Sequence, residues 1–475
     1  MLALPAWLLW PALAPALEAS DISTCTGVYT RTLTAGPNNY RSLLSGLQAG
    51  DRLQLTDGTY PEGLPLSGVR GLPGQCIAIE GPESGLPAVF PGRDCCNTVS
   101  LRNVAYLEIR NLTLDGDGRW GDGVKLEGNS QFGHHVVLEN LLIIDHDASQ
   151  QVVGISTKAP AWNWVIRRNL ILNAGTGIYL GDSDGSAEFV NGLIELNHIG
   201  ETQGYNLQIK RQYSRATGLD DATMPENGST VVRYNSFDKS GGSSTDPALF
   251  RPNMLVGHWP LSGPGSDDDY LIYGNLFHVN DTGVEGLLQA TGNVIIYDNL
   301  FYNPGGPGLL LQPHNGVAPG RVRVFHNTVV ARDQGIRLLS PSPDHTQHIV
   351  GNAAFAGSPI GGDLAGVTVV DNVTDDFLAA DQYLVDPFPD TGHPDLHALS
   401  EPLVDSPIQF TDFAIYLDHD RDFDCRPRDG RYYGAYAGPD EGTGWTLLDP
   451  VPRPPPCISW GIFQDGFETV PGGNG

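Results

Sequence analysis

Residues 105–114 read AYLEIRNLTL, residues 134–143 read HHVVLENLLI, and residues 163–172 read NWVIRRNLIL. In each, a short alternating run meets a charged residue, then an asparagine, then a second apolar run. Alternation with a period of two marks a strand with one buried face. The unit recurs down the chain. Aligned on one asparagine per unit, Asn111, Asn140, Asn169, Asn197, Asn235, Asn275, Asn299, Asn327, Asn352 and Asn372 follow at intervals of 29, 29, 28, 38, 40, 24, 28, 25 and 20 residues. A further strand, often opened by glycine, accompanies most units: GVKLEG, GISTK, GIYLGD, YNLQIKR, NMLVGH, GLLQA, GLLLQ and GIRLL.

Two or three short strands per unit cannot bury an apolar face alone, so equivalent strands must stack into a continuous core. The expected fold is all-β: a single-stranded right-handed parallel β-helix with an N-terminal capping helix. Propeller repeats are longer and antiparallel, and a leucine-rich solenoid needs a helix in each repeat. The ten asparagines are predicted to point inward at one turn and to hydrogen-bond up the stack as a ladder, which leaves them no catalytic role. Residues 38–60, NNYRSLLSGLQAGDRLQLTDGTY, place Leu43, Leu44 and Leu47 on one helical face before a strand. A helix there would cover the open edge of the first rung.

A length of 475 residues suits one long repetitive fold with capped ends. Lys and Arg number 27 against 55 Asp and Glu, a formal charge of −28. That excess repels nucleic acid phosphates and anionic membrane surfaces, so neither is expected as a partner. With 59 Gly, 36 Pro and only 3 Met, the composition is that of a turn-rich β protein. Residues 1–19 read as a signal peptide, since the apolar stretch is too short to span a bilayer and ends in small residues. Six cysteines (Cys25, Cys76, Cys95, Cys96, Cys425 and Cys457) leave fifteen pairings open and imply disulfides in an exported chain, secreted or periplasmic. The expected divisions are residues 20–100 for the cap and first rungs, 101–375 for the repeats, 376–438 for terminal rungs and a closing motif, and 439–475 for a Pro/Gly-rich tail. A monomer is expected.

The LQAGDRLQLTDGTY opening and the N-[LI]-x-[IL] rungs resemble right-handed β-helix proteins of the pectate-lyase-like superfamily. LVDPFPDTGHPDLHALSEPLVDSP, followed by DFDCRPRDGRYYGAYAG, is similar to the closing motif of many exported bacterial members. The likeness covers roughly residues 40–438 and is specific for fold rather than for activity.

The outward positions of the glycine-opened strands should line a groove: Lys125 and Glu127, Ser156 and Lys158, Tyr179 and Asp182, Gln208 and Lys210, His258, Glu285 and Gln289, and Gln312 and His314. Lys125, Lys158, Tyr179, Gln208, Gln289, Gln312 and His314 are the candidates for holding substrate. A cationic groove on an acidic protein suits a polyanionic chain, here a uronate polysaccharide. The bland alternative is a solvated sheet face. Within GYNLQIKRQY, residues 204–213, Lys210 and Arg211 fall inside the two longest repeats, which also carry Arg251 and His258. Insertions in solenoids tend to line the binding face. A uronate lyase needs a base for the C5 proton and a cation against the neighbouring carboxylate. Lys210, Arg211, Arg251 and His258 are the catalytic candidates. LQIKR resembles the strand bearing the catalytic lysine in the family of chondroitinase B and alginate lyases. That resemblance implies Lys210 as base and Ca²⁺ as the cofactor to consider, with Gln203 and Tyr205 at the positions of that family's acidic calcium pair. The function class expected is a lyase of acidic glycans, against a non-catalytic exported glycan-binding β-helix.

Other features carry less. Asp115, Asp117 and Asp122 form an Asp-Gly-rich turn more often than a calcium loop. Asp418, Asp420, Asp422 and Asp424 read as turn residues or a structural ion site. Trp120, Trp162, Trp164 and Trp259 either stack on sugars or pack in loops.

Overall fold

The computed structural model describes residues 19–219, 223–390, 394–399, 403, 413–428 and 431–439. The expected signal segment, apart from Ala19, and almost all of the Pro/Gly-rich tail lie outside them. The chain winds into a right-handed parallel β-helix whose rungs present three strand positions. The first position builds one long sheet, from Arg31–Ala35 and Asp51–Leu55 to Gln347–Val350 and Thr368–Val370. The second and third positions belong to a second sheet, because strand Thr328–Leu338 runs through both. Every rung-to-rung pairing in these two sheets is parallel among the described residues.

Register converts the period-two pattern into a core. In the first sheet Ile79, Ile109, Leu138, Ile166, Ile194, Val232, Ile272, Ile296, Val324 and Ile349 lie one above the next. All are fully buried, and branched side chains suit this stacking because their rotamers are already restricted. In the second position Phe237, Phe277 and Phe301 stack with ring centroids 5.0 and 4.7 Å apart.

The asparagine ladder is present over Asn169, Asn197, Asn235, Asn275, Asn299, Asn327, Asn352 and Asn372. Each Nδ2 donates to the Oδ1 of the next at 2.9 to 3.0 Å. Asn111 and Asn140 are not rungs of it. They sit one position earlier, at φ 57° and 53°, where the equivalent residues are Arg168, Leu196 and Tyr234. The ladder position in Asn140's rung is Leu141, whose N–H donates to Asn169 Oδ1. Asparagine tolerates the left-handed region of the earlier position better than other side-chain-bearing residues, and its amide suits the ladder position, so the two are confused in the sequence.

The expected capping helix spans only Tyr40–Leu44, after a first short helix at Ala19–Ser23 and a strand. Tyr40 and Leu44 are buried, whereas Leu43 and Leu47 are partly buried against the same core. Tyr40 packs edge-on to Tyr60 at 5.0 Å and donates to Gly63 O, fixing the cap to the first turns. At the other end the closing segment docks on the flank of the solenoid. Tyr234 and Tyr273 hydroxyls donate to Asp418, Arg428 pairs with buried Asp298, and His397 bridges Asp395 and Asp424. Asp422 pairs with Arg426 and accepts from Ala437 N. Protein groups therefore partner Asp418, Asp422 and Asp424, three of the four aspartates expected to form turns or an ion site. Cys25 is bonded to Cys76 and Cys95 to its neighbour Cys96, and Cys425 is disulfide-bonded with its partner outside the described residues.

Candidate functional site

The third strand position forms the floor. Its outward side chains run rung by rung through Ser100, Lys125, Ser156, Tyr179, Gln208, Leu255, Gln289, Leu310 and Arg337. Two residues further along each strand lies a second row. Backbone bonds from Lys158 N to Leu126 O, Lys210 N to Leu180 O, Gly257 N to Ile209 O, Thr291 N to Val256 O and Gln312 N to Ala290 O set its register. Lys158 and Lys210 therefore occupy the same place two rungs apart, with Gly181 between them. At about 4.8 Å per rung their backbones are roughly 10 Å apart.

Gly181 leaves that place without a side chain, and the half-buried Tyr179 ring lies between the two amines. Lys158 Nζ stands 3.6 Å from the ring centroid and Lys210 Nζ 5.7 Å. Aromatic faces attract ammonium groups through their quadrupole. Burial drives the Lys158 ammonium down to about 8, with Asp182, 4.0 Å away, acting against it. Burial and then Arg211 lower Lys210, while Asp182 opposes them. Burial raises the Tyr179 phenol to about 12.

Arg211 leans away from this cluster. Its guanidinium donates to Tyr213 Oη and to the carbonyls of Ser183 and Asp184, pinning the Asp182–Ser186 turn. On the next rung Gly257 lies flat on this strand end: a Cβ there would meet Arg211 N at 2.4 Å. A side chain at 257 is thus sterically excluded. His258 follows it and is buried, its Nδ1 2.8 Å from Trp259 O and its Nε2 without a hydrogen-bond partner. Burial is the largest of the causes that hold His258 and His314 below the usual imidazole value. Lys210, Arg211 and His258 add to the shift at His314, so these four groups share one electrostatic neighbourhood.

The remaining candidates lie elsewhere or are occupied. Arg251 is at the opposite end of strand Met254–Val256, donating to Ala248 O and Phe250 O, and its charge acts on Tyr205, Lys239 and Glu285. Gln208 points outward by register, yet it is only 3% exposed and is hydrogen-bonded to Tyr205. Lys125 pairs with Asp122 at 2.9 Å, Gln312 accepts from Arg337, and Gln289 is half-buried. His314 closes a hairpin with Val317. Trp162, Trp164 and Trp259 are buried, and only Trp120 of the four is exposed. Sequence reasoning missed Lys239. It is fully buried, held at about 7 by burial, and its Nζ donates to Arg251 O. A lysine closing a strand just before the longest insertion was the available signal.

A calcium ion does not fit where the resemblance would put one. Gln203 Nε2 donates to Asp147 O, and Tyr205 is bound to Gln208. Among the described residues no three His, Cys, Asp or Glu side chains converge as metal ligands.

No protein-family model matches the chain, and no curated protein matches it. Several solved structures are similar in fold. A mutant of the PL6 family alginate lyase AlyGC superposes with a TM-score of 0.46 at 13% identity, covering 72% of this chain and 51% of that one. The GH136 lacto-N-biosidase from Eubacterium ramulus gives 0.45 at 12% identity, covering 73% and 68%. Pectate lyase Pel9A gives 0.32 at 12%, covering 89% and 94%. The chain thus spans about half the length of the alginate lyase.

Proposed function

We propose that this protein acts on polysaccharide, as an exported lyase that cleaves an acidic, uronate-containing glycan by β-elimination. The observation that carries the reading is the pair of half-desolvated lysines, Lys158 and Lys210, flanking one aromatic ring on an open strand face of an otherwise acidic molecule. A polyanion gains most where cations are concentrated and partly stripped of water.

Lys210 is the base. It is half-buried at the end of the outward strand face, and burial with Arg211 beside it favours the free amine that removes the C5 proton. His258 is the other candidate, but its free Nε2 is sealed from solvent, so the role falls to Lys210. Lys158 holds the substrate carboxylate and offsets the charge that develops as C5 loses its proton. Arg211 fixes the turn that borders the site. Arg251, across the strand, meets a sugar further along the chain.

The test is incubation of the purified protein with alginate, pectate and chondroitin polymers, following the absorbance of the unsaturated sugar produced. Release of that product from one of them, lost in Lys210→Ala, supports the reading. Retention on a glycan with no product from any overturns the lyase and leaves a glycan-binding β-helix.

A further inference from the structure

We infer that Tyr179 is the proton donor of this site, delivering its phenolic hydrogen to the glycosidic oxygen that leaves C4. The inference rests on the lyase reading above, which gives Tyr179 no part in the chemistry.

β-Elimination needs two proton transfers. The C5–H bond breaks and its electron pair becomes the C4=C5 double bond, while the C4–O bond breaks and its pair stays on oxygen. An alkoxide is a poor leaving group, so the reaction depends on an acid at that oxygen. Lys210 as a free amine takes the C5 proton and becomes an ammonium. It cannot also protonate the leaving oxygen in the same step.

Of the nearby donors, Arg211 is committed to Tyr213, Ser183 and Asp184, and His258 is sealed. Lys158 lies against the face of the Tyr179 ring. Of the nearby phenols, Tyr179 is the one whose ring meets both lysines. Its ring lies between the two lysines, on the outward face of its strand and one rung before Lys210. Ser183, which is exposed, is its hydrogen-bond partner, so the phenolate regains its proton from water along that contact. The ammonium on Lys210 returns its proton to solvent. The balance is one glycan bond lost, one double bond and one hydroxyl formed, with no oxidant and no water consumed. Burial raises the phenol to about 12 and lowers both amines, so the phenol keeps its proton where the amines give theirs up, and this suits an acid and not a base.

The experiment is Tyr179→Phe, which keeps the ring for both lysines and removes only the hydroxyl. It is assayed on the glycan that the wild type cleaves and on a synthetic uronide carrying a nitrophenoxy group at C4. Nitrophenoxide departs without a proton. We expect kcat on the glycan to fall about 100-fold or more with KM within twofold, and turnover of the synthetic uronide to stay at the wild-type level. Full turnover of the glycan by Tyr179→Phe, or equal losses on both substrates, overturns the inference and leaves the lyase reading standing. If the wild type cleaves no uronate glycan, the reading and the inference fall together.

Discussion

Asn235 makes five hydrogen bonds through one side chain. Its Nδ2 donates to Ile194 O, Arg233 O and Asn275 Oδ1, and its Oδ1 accepts from the N–H and Nδ2 of Asn197. Asn235→Ala strands buried donors and acceptors on both neighbouring rungs, so a loss of about 2–4 kcal/mol is expected in chemical denaturation. Asn140→Ala, away from the ladder, should cost distinctly less. Lys158 offers a second test at this scale. Its folded value of about 8 lies below the ordinary 10.5, so the native state releases protons that the unfolded chain keeps. Stability should therefore rise with pH between about 8 and 10.5 on account of this group. Lys158→Met is expected to melt higher than wild type at pH 7, with the difference closing above about pH 10.5. Such residues were legible in part. Lys158 and Lys210 could be named from strand alternation, but the Tyr179 ring between them follows from the missing side chain at Gly181, a consequence of rung register.

Single strands of three to seven residues have no stability of their own, and each is held by the rung on either side. The first rungs have a neighbour on one side only. The Tyr40–Leu44 helix and the Cys25–Cys76 bond make up for that, the latter closing a 51-residue separation. Cross-linking across that span limits the unfolded chain, so replacing both cysteines by serine should cost up to about 4 kcal/mol. Early hydrogen exchange confined to strands Arg31–Ala35, Asp51–Leu55 and Ile77–Glu80 would check it, since solenoids open from their ends. The cap was readable from the leucine spacing. Its brevity was not, because Tyr40, not a leucine, contributes the largest buried side chain of the helix.

Across the whole molecule acidic side chains outnumber basic ones 55 to 27, and several of the buried carboxylates meet an arginine. Arg110 and Arg167 both meet Glu139, Arg233 meets Glu195, and Arg428 meets Asp298. His397 does the same for the closing segment. Burial works against its charge, but hydrogen bonds to Asp395 and Asp424 prevail and raise it to about 9 from 6.5. A raised folded value means that its stabilisation is complete below about pH 6.5 and is lost as pH climbs through 9. Limited proteolysis of the closing segment should accelerate across that window in wild type and show no such step in His397→Gln.

The sequence alone determined that strands of period two repeat at solenoid spacing, that they stack in parallel, and that asparagines line one turn. These are local properties: alternation and repeat length survive whatever the neighbours do. The tertiary structure decided which asparagines enter the ladder, because Asn111 and Asn140 differ from Asn169 by one position that only rung-to-rung pairing reveals. It also decided that Lys158, Tyr179 and Lys210 meet while Arg251 stands at the far end of its strand, and that outward Gln208 is covered. Insertions of different length displace residues along the chain without displacing the rungs, so proximity across rungs is set by register and turn geometry, which no single repeat contains.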